Sequence, residues 1–295
     1  MIELNLSFAL KNLMDRLNYD IQSISSILNV DPKTIENYLS KHSNPTAAIA
    51  NKITKLIDEN NLDIYSLLDI EPNTSYLFHG SKTGGLHGKI STLRNKGDFN
   101  DFDNGFYLSD SLKNAINYVI EQKSPVIYRF KKEDVLKGTI YNFSKEDNGE
   151  RDWIIYIGLN RGKITSEEDE MFFREYYDKK FSDYDVLCGE IADSYNFDVL
   201  NDFFNNITDL EETRKALILA NIGPQYVMKN EKDANGLTYV ETYKIEKNLR
   251  DYLLNVVKEK KKILKQNRDT FFKDHTFDRT TTFEQIKKEM KKEYE

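Results

Sequence analysis

The chain has 295 residues, enough for two ordinary domains or one domain with a substantial appendage. Charged residues make up 31% of it and hydrophobic ones 39%, and 18 Tyr with 17 Phe argue against wholesale disorder, which is poor in aromatics. The net charge of -7 is uneven: residues 1–70 hold 6 Lys/Arg against 9 Asp/Glu, residues 245–295 hold 14 against 10, and the acidic excess lies between.

The first 70 residues read as consecutive short helices. Leu10, Leu13, Met14 and Leu17 fall at helical spacing, and Ile21, Ile24, Ile27 and Leu28 repeat it. Asp31-Pro32 then opens a further helix with an N-cap and a proline in its first turn. Ile49, Ile53 and Leu56 mark another, and Ile64, Leu67 and Leu68 one more. Two short helices, a tight turn and a capped helix resemble the helix-turn-helix of phage repressors over about 60 residues. That resemblance implies a small all-α bundle over 1–70 that contacts DNA or a partner protein; the net charge of this segment, 6 - 9 = -3, is unlike that of most DNA-binding modules.

Glu71-Pro72-Asn73-Thr74-Ser75 marks a boundary, after which β-type sequence begins. Strands are expected at Tyr76–Gly80, Gly105–Leu108, Val126–Phe130, Thr139–Phe143, Tyr184–Ile191, Gln225–Met228 and Thr238–Val240. A helix is expected from Ser111 to about Gln122, and Trp153–Ile157 also reads as helical because it runs on into Leu159-Asn160-Arg161 without a turn signal. A long amphipathic helix spans Ile245 to Leu264, and the last 30 residues read as a polar, basic tail without assigned structure. The domain reading is 1–70, 75–245 and 246–295.

No stretch is long and apolar enough for a transmembrane helix, and the start lacks the features of a signal peptide. A single cysteine, Cys188, makes neither an internal disulfide nor a Cys-based zinc site, so the expectation is a soluble protein of a reducing cytoplasm with no membrane partner. Common catalytic signatures are missing: no phosphate-cradling loop ending in Gly-Lys-Ser/Thr, no HExxH, no GxSxG and no GxGxxG. The four histidines (His42, His79, His87 and His275) show no metal-ligand pairing, so no metal is expected.

What remains is a spaced set at strand ends: His79-Gly80-Ser81, then Tyr107 with Tyr118 on the helix behind it, then Gln225. A His beside a backbone glycine can bind an amide or a ribose hydroxyl edge, tyrosines can sandwich a flat heteroaromatic ring, and Gln can orient a hydroxyl. Asp185 and Asp193 flank a strand and could line an acceptor pocket or act as turn caps; Asn160-Arg161 could meet a phosphate or be structural. The Lys258–Lys262 run with Lys265 and Arg268 is a solvated helix face or a phosphate contact.

Tyr-Leu-Phe-His-Gly-Ser at 76–81, and Asp-Asn-Gly-Phe-Tyr-Leu-Ser-Asp at 103–110 with Asn-Ala-Ile-Asn-Tyr at 114–118, resemble the first two motifs of ADP-ribosyltransferases. The similarity is to the His-Tyr-Glu/Gln branch of diphtheria-type toxins and poly-ADP-ribose polymerases, including a bacterial family of that clan, over roughly residues 75–245. It implies an α+β fold with a split, bent β-sheet and NAD as substrate. By the same resemblance His79 would bond the adenosine-side ribose, Gly80 would hold the nicotinamide carboxamide, and Ser81 would belong to the same NAD-binding stretch. Tyr107 and Tyr118 would stack on nicotinamide, and Gln225 would take the third position, usually Glu. Ala115 stands near a serine of the polymerases, for which Ser109 or Ser111 would have to substitute, and Glu231 is the nearest acidic alternative to Gln225. The expected function is mono-ADP-ribosylation of a protein or nucleic-acid acceptor, as in a bacterial or phage toxin or defence effector. The alternative is a DNA-binding regulator with a catalytically silent NAD-sensing domain.

Overall fold

A computed structural model describes residues 1–68, 75–82, 86, 89–93, 100–192, 198–219, 222–274 and 281–294. It is an α+β structure built on one mixed eight-stranded sheet. In chain order the elements open with strand β1 (Ile2–Leu4) and helices α1 (Leu6–Leu17), α2 (Ile21–Leu28), α3 (Pro32–Leu39), α4 (Ala47–Glu59) and α5 (Ile64–Leu67). There follow β2 (Tyr76–Ser81), β3 (Phe106–Ser109), α6 (Leu112–Val119), β4 (Val126–Lys131), α7 (Lys132–Val135), β5 (Ile140–Asn142), α8 (Gly149–Asn160) and α9 (Glu167–Lys180). The chain continues with β6 (Val186–Glu190), α10 (Asp198–Phe204), α11 (Leu210–Leu217), β7 (Pro224–Met228), α12 (Glu231–Asn235), β8 (Tyr239–Ile245), α13 (Lys247–Asp274) and α14 (Phe283–Tyr294).

The N-terminal helices start and stop where short polar side chains cap them. Asn5 accepts from the Ser7 amide, Asp20 from Ser23 and Asp31 from Lys33, each supplying an acceptor to an orphan first-turn donor. Asn18 and Asn29 end α1 and α2 in the left-handed region (φ 55 and 53), which asparagine enters at lower cost than most residues. One expectation is corrected here: the first 70 residues are not all helical. Ile2–Leu4 lies parallel to β8, with Ile2 opposite Tyr243 and Leu4 opposite Ile245. Three residues are too few for a sequence signal of their own, and it is the waiting edge of β8 that makes them a strand.

The strand order is β1-β8-β4-β2-β3-β7-β6-β5. Residues directly opposite one another share a face, so the register sorts the side chains. One face carries Leu77, Phe106, Leu108, Phe130, Val186 and Met228, which form a core with Ile90, Val135, Ala234 and Leu237. The other face carries two separate cores. On the β1-β8-β4-β2 half, Phe78, Ile127 and Tyr243 pack with the N-terminal helices, α6 and α13 in one cluster. On the β3-β7-β6-β5 half, Val227, Leu187 and Tyr141 pack with Phe102, α8, α9, α10, α11 and α14.

The apolar run at Trp153–Ile157 is helical, as expected, and α8 is buried nearly all round, which is why its sequence lacks a polar stripe. The last segment departs from expectation: Phe283, Ile286 and Met290 are buried in the second core, and ion pairs from Lys287 to Asp169 and from Lys291 to Glu168 hold α14 on α9. Three apolar residues spaced 3 and 4 apart were too sparse among the lysines to read as a packed face.

The N-terminal helices share their core with the sheet through α13, where Tyr252 Oη donates to Asp58 (2.5 Å) and Leu249 and Leu253 are fully buried. Leu253→Ala is therefore expected to destabilise the whole protein by about 2–5 kcal/mol. Chemical unfolding followed both by Trp153 fluorescence, from the other half of the sheet, and by circular dichroism checks it. A Trp153 transition that does not move with the mutation would show that the two halves unfold independently.

Candidate functional site

The sheet is weakest at its centre. β2 pairs with β4 over six positions, Tyr76–Ser81, and β3 with β7 over four, but β2 and β3 meet in a single pair, Phe78 opposite Ser109. Beyond that pair a seam separates the two half-sheets, and side chains take over from the backbone ladder. His79 Nδ1 lies 2.8 Å from the Tyr107 carbonyl oxygen across it. A carbonyl only accepts, so Nδ1 carries the proton and Nε2 is left as an acceptor. The ring stacks on Phe106 with centroids 4.2 Å apart. Although residue 79 keeps some exposed surface, its ring is enclosed, and burial pushes its pKa down to about 4 against the opposing pull of the Tyr107 carbonyl. His79 is neutral at pH 7.

Next to it, Gly80 has no room for a side chain. A Cβ there would lie 2.8 Å from the Ala115 carbonyl oxygen and 2.8 Å from Val119 Cγ1, so α6 rests directly on this strand. Tyr118 stands at the edge of the same contact, 3.3 Å from that Cβ position, and is 56% exposed, with Lys82 Nζ 4.6 Å above its ring. Such a ring is a ready stacking shelf at the seam. Ser81 is buried at the end of β2. Ala115 is buried and offers no hydroxyl; Ser111 caps α6, and Ser109 accepts from the Asn114 amide (3.2 Å), whose nitrogen also donates to the Ile222 carbonyl (2.6 Å).

On the other side of the seam the register puts Tyr107, Ser109 and Gln225 on one face, in the gap between the two cores. The polar ends of Tyr107 and Gln225, however, turn toward the segment just before β3. Tyr107 Oη donates to the Asp103 carbonyl (2.8 Å) and accepts from the Phe102 amide (3.0 Å), and burial holds its pKa well above the usual phenol value. Gln225, 6% exposed, donates from Nε2 to Asp101 Oδ2 at 2.9 Å. Asp101, 4% exposed, takes Arg161 Nη2 (2.6 Å) and Nε (3.2 Å) on Oδ1, and the Ala192 amide (3.4 Å) on Oδ2. The Asp101 carbonyl accepts from Asn160 (3.1 Å).

Sequence reasoning missed Asp101. Its partner Gln225 lies 124 residues away, and no spacing rule connects them. It also passed over Asp110 and Glu190, half-buried carboxyls whose pKa values are raised, by burial first in both and then, for Glu190, by Asp110. The remaining candidates fall elsewhere. Arg161 is committed to Asp101. Asp185 accepts from the Thr139 amide and hydroxyl, both at 2.9 Å, which hold its carboxyl below the usual range, and it ties the starts of β5 and β6 together. Glu231 accepts from Ser91 (2.9 Å). Cys188 is buried in β6 with its thiol pushed up to about 11 by burial. Asp193, His87 and His275 lie outside the described residues. A groove of about 670 Å³ lined by Met14, Ile21 and Leu39 is on the N-terminal bundle, away from the seam. Among the described residues no cluster of His, Cys, Asp and Glu is arranged to hold a metal ion, and no helix is long and apolar enough to cross a membrane.

Two outcomes follow from this geometry. Because the folded pKa of His79 lies below the unfolded value of about 6.5, only the unfolded chain takes up this proton as pH falls from about 6.5 to 4. Stability is thus lost with acidification across that window, by about 1–2 kcal/mol once the residue's partial exposure is allowed for. His79→Gln, which keeps a donor but cannot titrate, should remove that part of the slope, as read by urea unfolding at pH 7, 6, 5 and 4. Gly80→Ala should cost roughly 1–3 kcal/mol by pushing α6 off β2; unchanged thermal stability would show that the helix can yield there.

The seam is also where the chain meets known sequence. Residues 76–239, more than half of the chain, match the family model described as Protein of unknown function (DUF3990), and the chain belongs to this family. No curated protein and no solved structure matches it. The matched span runs from the first residue of β2 to the first of β8 and contains His79, Tyr107, Tyr118 and Gln225 together with Asp101 and Arg161.

Proposed function

We propose that this DUF3990 member is an NAD-dependent mono-ADP-ribosyltransferase whose active site is the seam between β2 and β3. The observation that carries the reading is the sheet split at Phe78–Ser109, with His79 bonded across it and Tyr107 and Gln225 in register on its far side. Cleaving the nicotinamide–ribose bond passes through an oxocarbenium-like state, so the reaction needs ring clamping and ribose orientation more than an ionised base on the enzyme. In this reading His79 Nε2 accepts from a hydroxyl of the adenosine-side ribose, the Gly80 backbone meets the nicotinamide carboxamide, and the Tyr118 shelf and Tyr107 ring flank nicotinamide. Gln225 orients the nicotinamide ribose. Without a carboxylate at that position the site lacks a base for chain extension, which favours a single transfer to a protein or nucleic-acid acceptor over polymer synthesis. The fold this implies for residues 75–245 is the split, bent sheet of the ADP-ribosyltransferases. The N-terminal helices, with α2 and α3 joined through Asn29 in the manner of a helix-turn-helix, would bring the acceptor or DNA to the site, and a toxin or defence role follows by analogy.

One observation favours a second reading. The Gln225 amide is buried and bonded to Asp101, as it would be in a regulator that binds NAD without turnover. Incubation of the full chain with NAD labelled in both the nicotinamide and the adenylate half separates the two. Released nicotinamide with adenylate label on a macromolecule is the expected result; NAD bound but intact supports the sensor, and no NAD binding overturns both. Tyr118→Ala, at a residue exposed enough to be dispensable for folding, should weaken NAD binding by about 1–3 kcal/mol in calorimetry. Unchanged affinity would remove Tyr118 from the clamp.

A further inference from the structure

The amide of Gln225 can face its neighbours in two ways, and the surroundings select one. Asp101 Oδ2, at 2.9 Å, accepts and cannot donate, and the Glu190 carbonyl oxygen at 3.5 Å is a second acceptor on the same nitrogen. The NH2 end therefore belongs on Asp101, and Oε1 is the end turned away from it. Asp101 itself has no freedom to turn, because Arg161 occupies its other oxygen and the Asn160 side chain holds its carbonyl. We infer that Asp101, braced by Arg161, is the positioning residue that makes Gln225 an acceptor, presenting its carbonyl oxygen toward the seam.

The inference rests on the proposed function for its chemical consequence. An acceptor oxygen at this place takes the hydrogen bond of a ribose hydroxyl, the part a carboxylate oxygen would play, and the carboxylate behind the amide polarises it in that sense. The Arg161 guanidinium balances the charge of Asp101, so the oxygen is presented without an unpaired carboxylate in the core. Exchanging Gln225 for Glu would not simply supply a catalytic acid. It would set two carboxyls against each other at a buried contact, and one of them would have to hold a proton to ionise the other. A protonated Glu can donate to Asp101 and thereby copy the glutamine arrangement; an ionised one cannot.

The test compares Gln225→Glu, Asp101→Asn and the double variant with the native chain. The charged and titratable groups facing position 225 are Asp101 before β3, Arg161 at the end of α8 and Tyr107 on β3, while β6 offers it the Glu190 carbonyl oxygen and keeps the Glu190 carboxyl on the opposite face. Thermal unfolding across pH 4 to 8 needs no NAD. The added carboxyl of Gln225→Glu has a folded pKa raised above its unfolded value of about 4.3, so its penalty relative to the native chain grows as pH rises from there. Adding Asp101→Asn, which provides an amide donor for that carboxylate, should reduce the pH-dependent part even though the Asp101 charge opposite Arg161 is removed. In nicotinamide release, Gln225→Glu should lower kcat by about 10²-fold at pH 8 with KM little changed, recover toward pH 6, and lose that pH dependence in the double variant. A Gln225→Glu chain whose stability follows the native pH profile, or a double variant with the same pH slope as Gln225→Glu alone, overturns the inference. Failure of the native chain to turn over NAD would instead remove the proposed function and leave the unfolding comparison to decide the orientation.

Discussion

Two half-sheets held together by one backbone pair, Phe78 with Ser109, set the terms for the rest of this molecule. A sheet with a break at its centre leaves strand-edge groups there without a ladder. This chain closes part of the gap with the bond from His79 to the Tyr107 carbonyl and with the Phe106 ring beneath it. The same break divides the packing: one face has a common core across both halves, while the other has two cores that stay apart. Tyr107, Ser109 and Gln225 lie on the face of those two cores, whereas the His79 ring lies on the common-core face, stacked on Phe106.

Each half is braced from outside the seam. On one side, β1, the N-terminal helices and α13 form a single apolar body with the face of β2, β4 and β8. On the other, α8 lies buried against β5, β6 and β7, and a group of polar atoms at 101–103 ties together the end of α8, β3, β7 and Ala192 just beyond β6. Asp101 is the centre of that group. Its carboxylate is buried and paired, an arrangement that contributes more to fixing directions than to net stability, since the desolvation of both charges offsets much of their attraction. Directions are what a site for a bond-breaking step requires.

Glycine at position 80 illustrates how fold and site share residues. The contact with the Ala115 carbonyl and Val119 is sufficient reason for a glycine there, independent of any ligand. Yet the same close approach places Tyr118 at the seam and leaves the Gly80 backbone as the only part of that residue a ligand could meet. Belonging to the DUF3990 family fits this picture, because the matched residues 76–239 cover the seam and the strands β2 to β7 around it and exclude β1, the N-terminal helices, α13 and α14.

The amino-acid sequence by itself determined most of the local structure. Apolar spacing located α2, a capping Asp and a proline located α3, alternation located β4 and β5, and the absence of a turn signal between Trp153–Ile157 and Leu159-Asn160-Arg161 located a helix, because these signals act over a few neighbouring residues. It also gathered His79, Tyr107, Tyr118 and Gln225 as one set, by resemblance rather than by spacing. Tertiary structure decided the rest. Ile2–Leu4 is a strand because β8 offers an open edge, and Phe283–Tyr294 is a packed helix because Phe283, Ile286 and Met290 find the second core. Above all, the sequence was silent on which end of the Gln225 amide faces the seam, since that depends on Asp101 and Arg161, brought to it from 124 and 64 residues away by the packing of α8 against the sheet. Hydrogen-bond direction is a property of neighbours in space, and chain order carries no record of it.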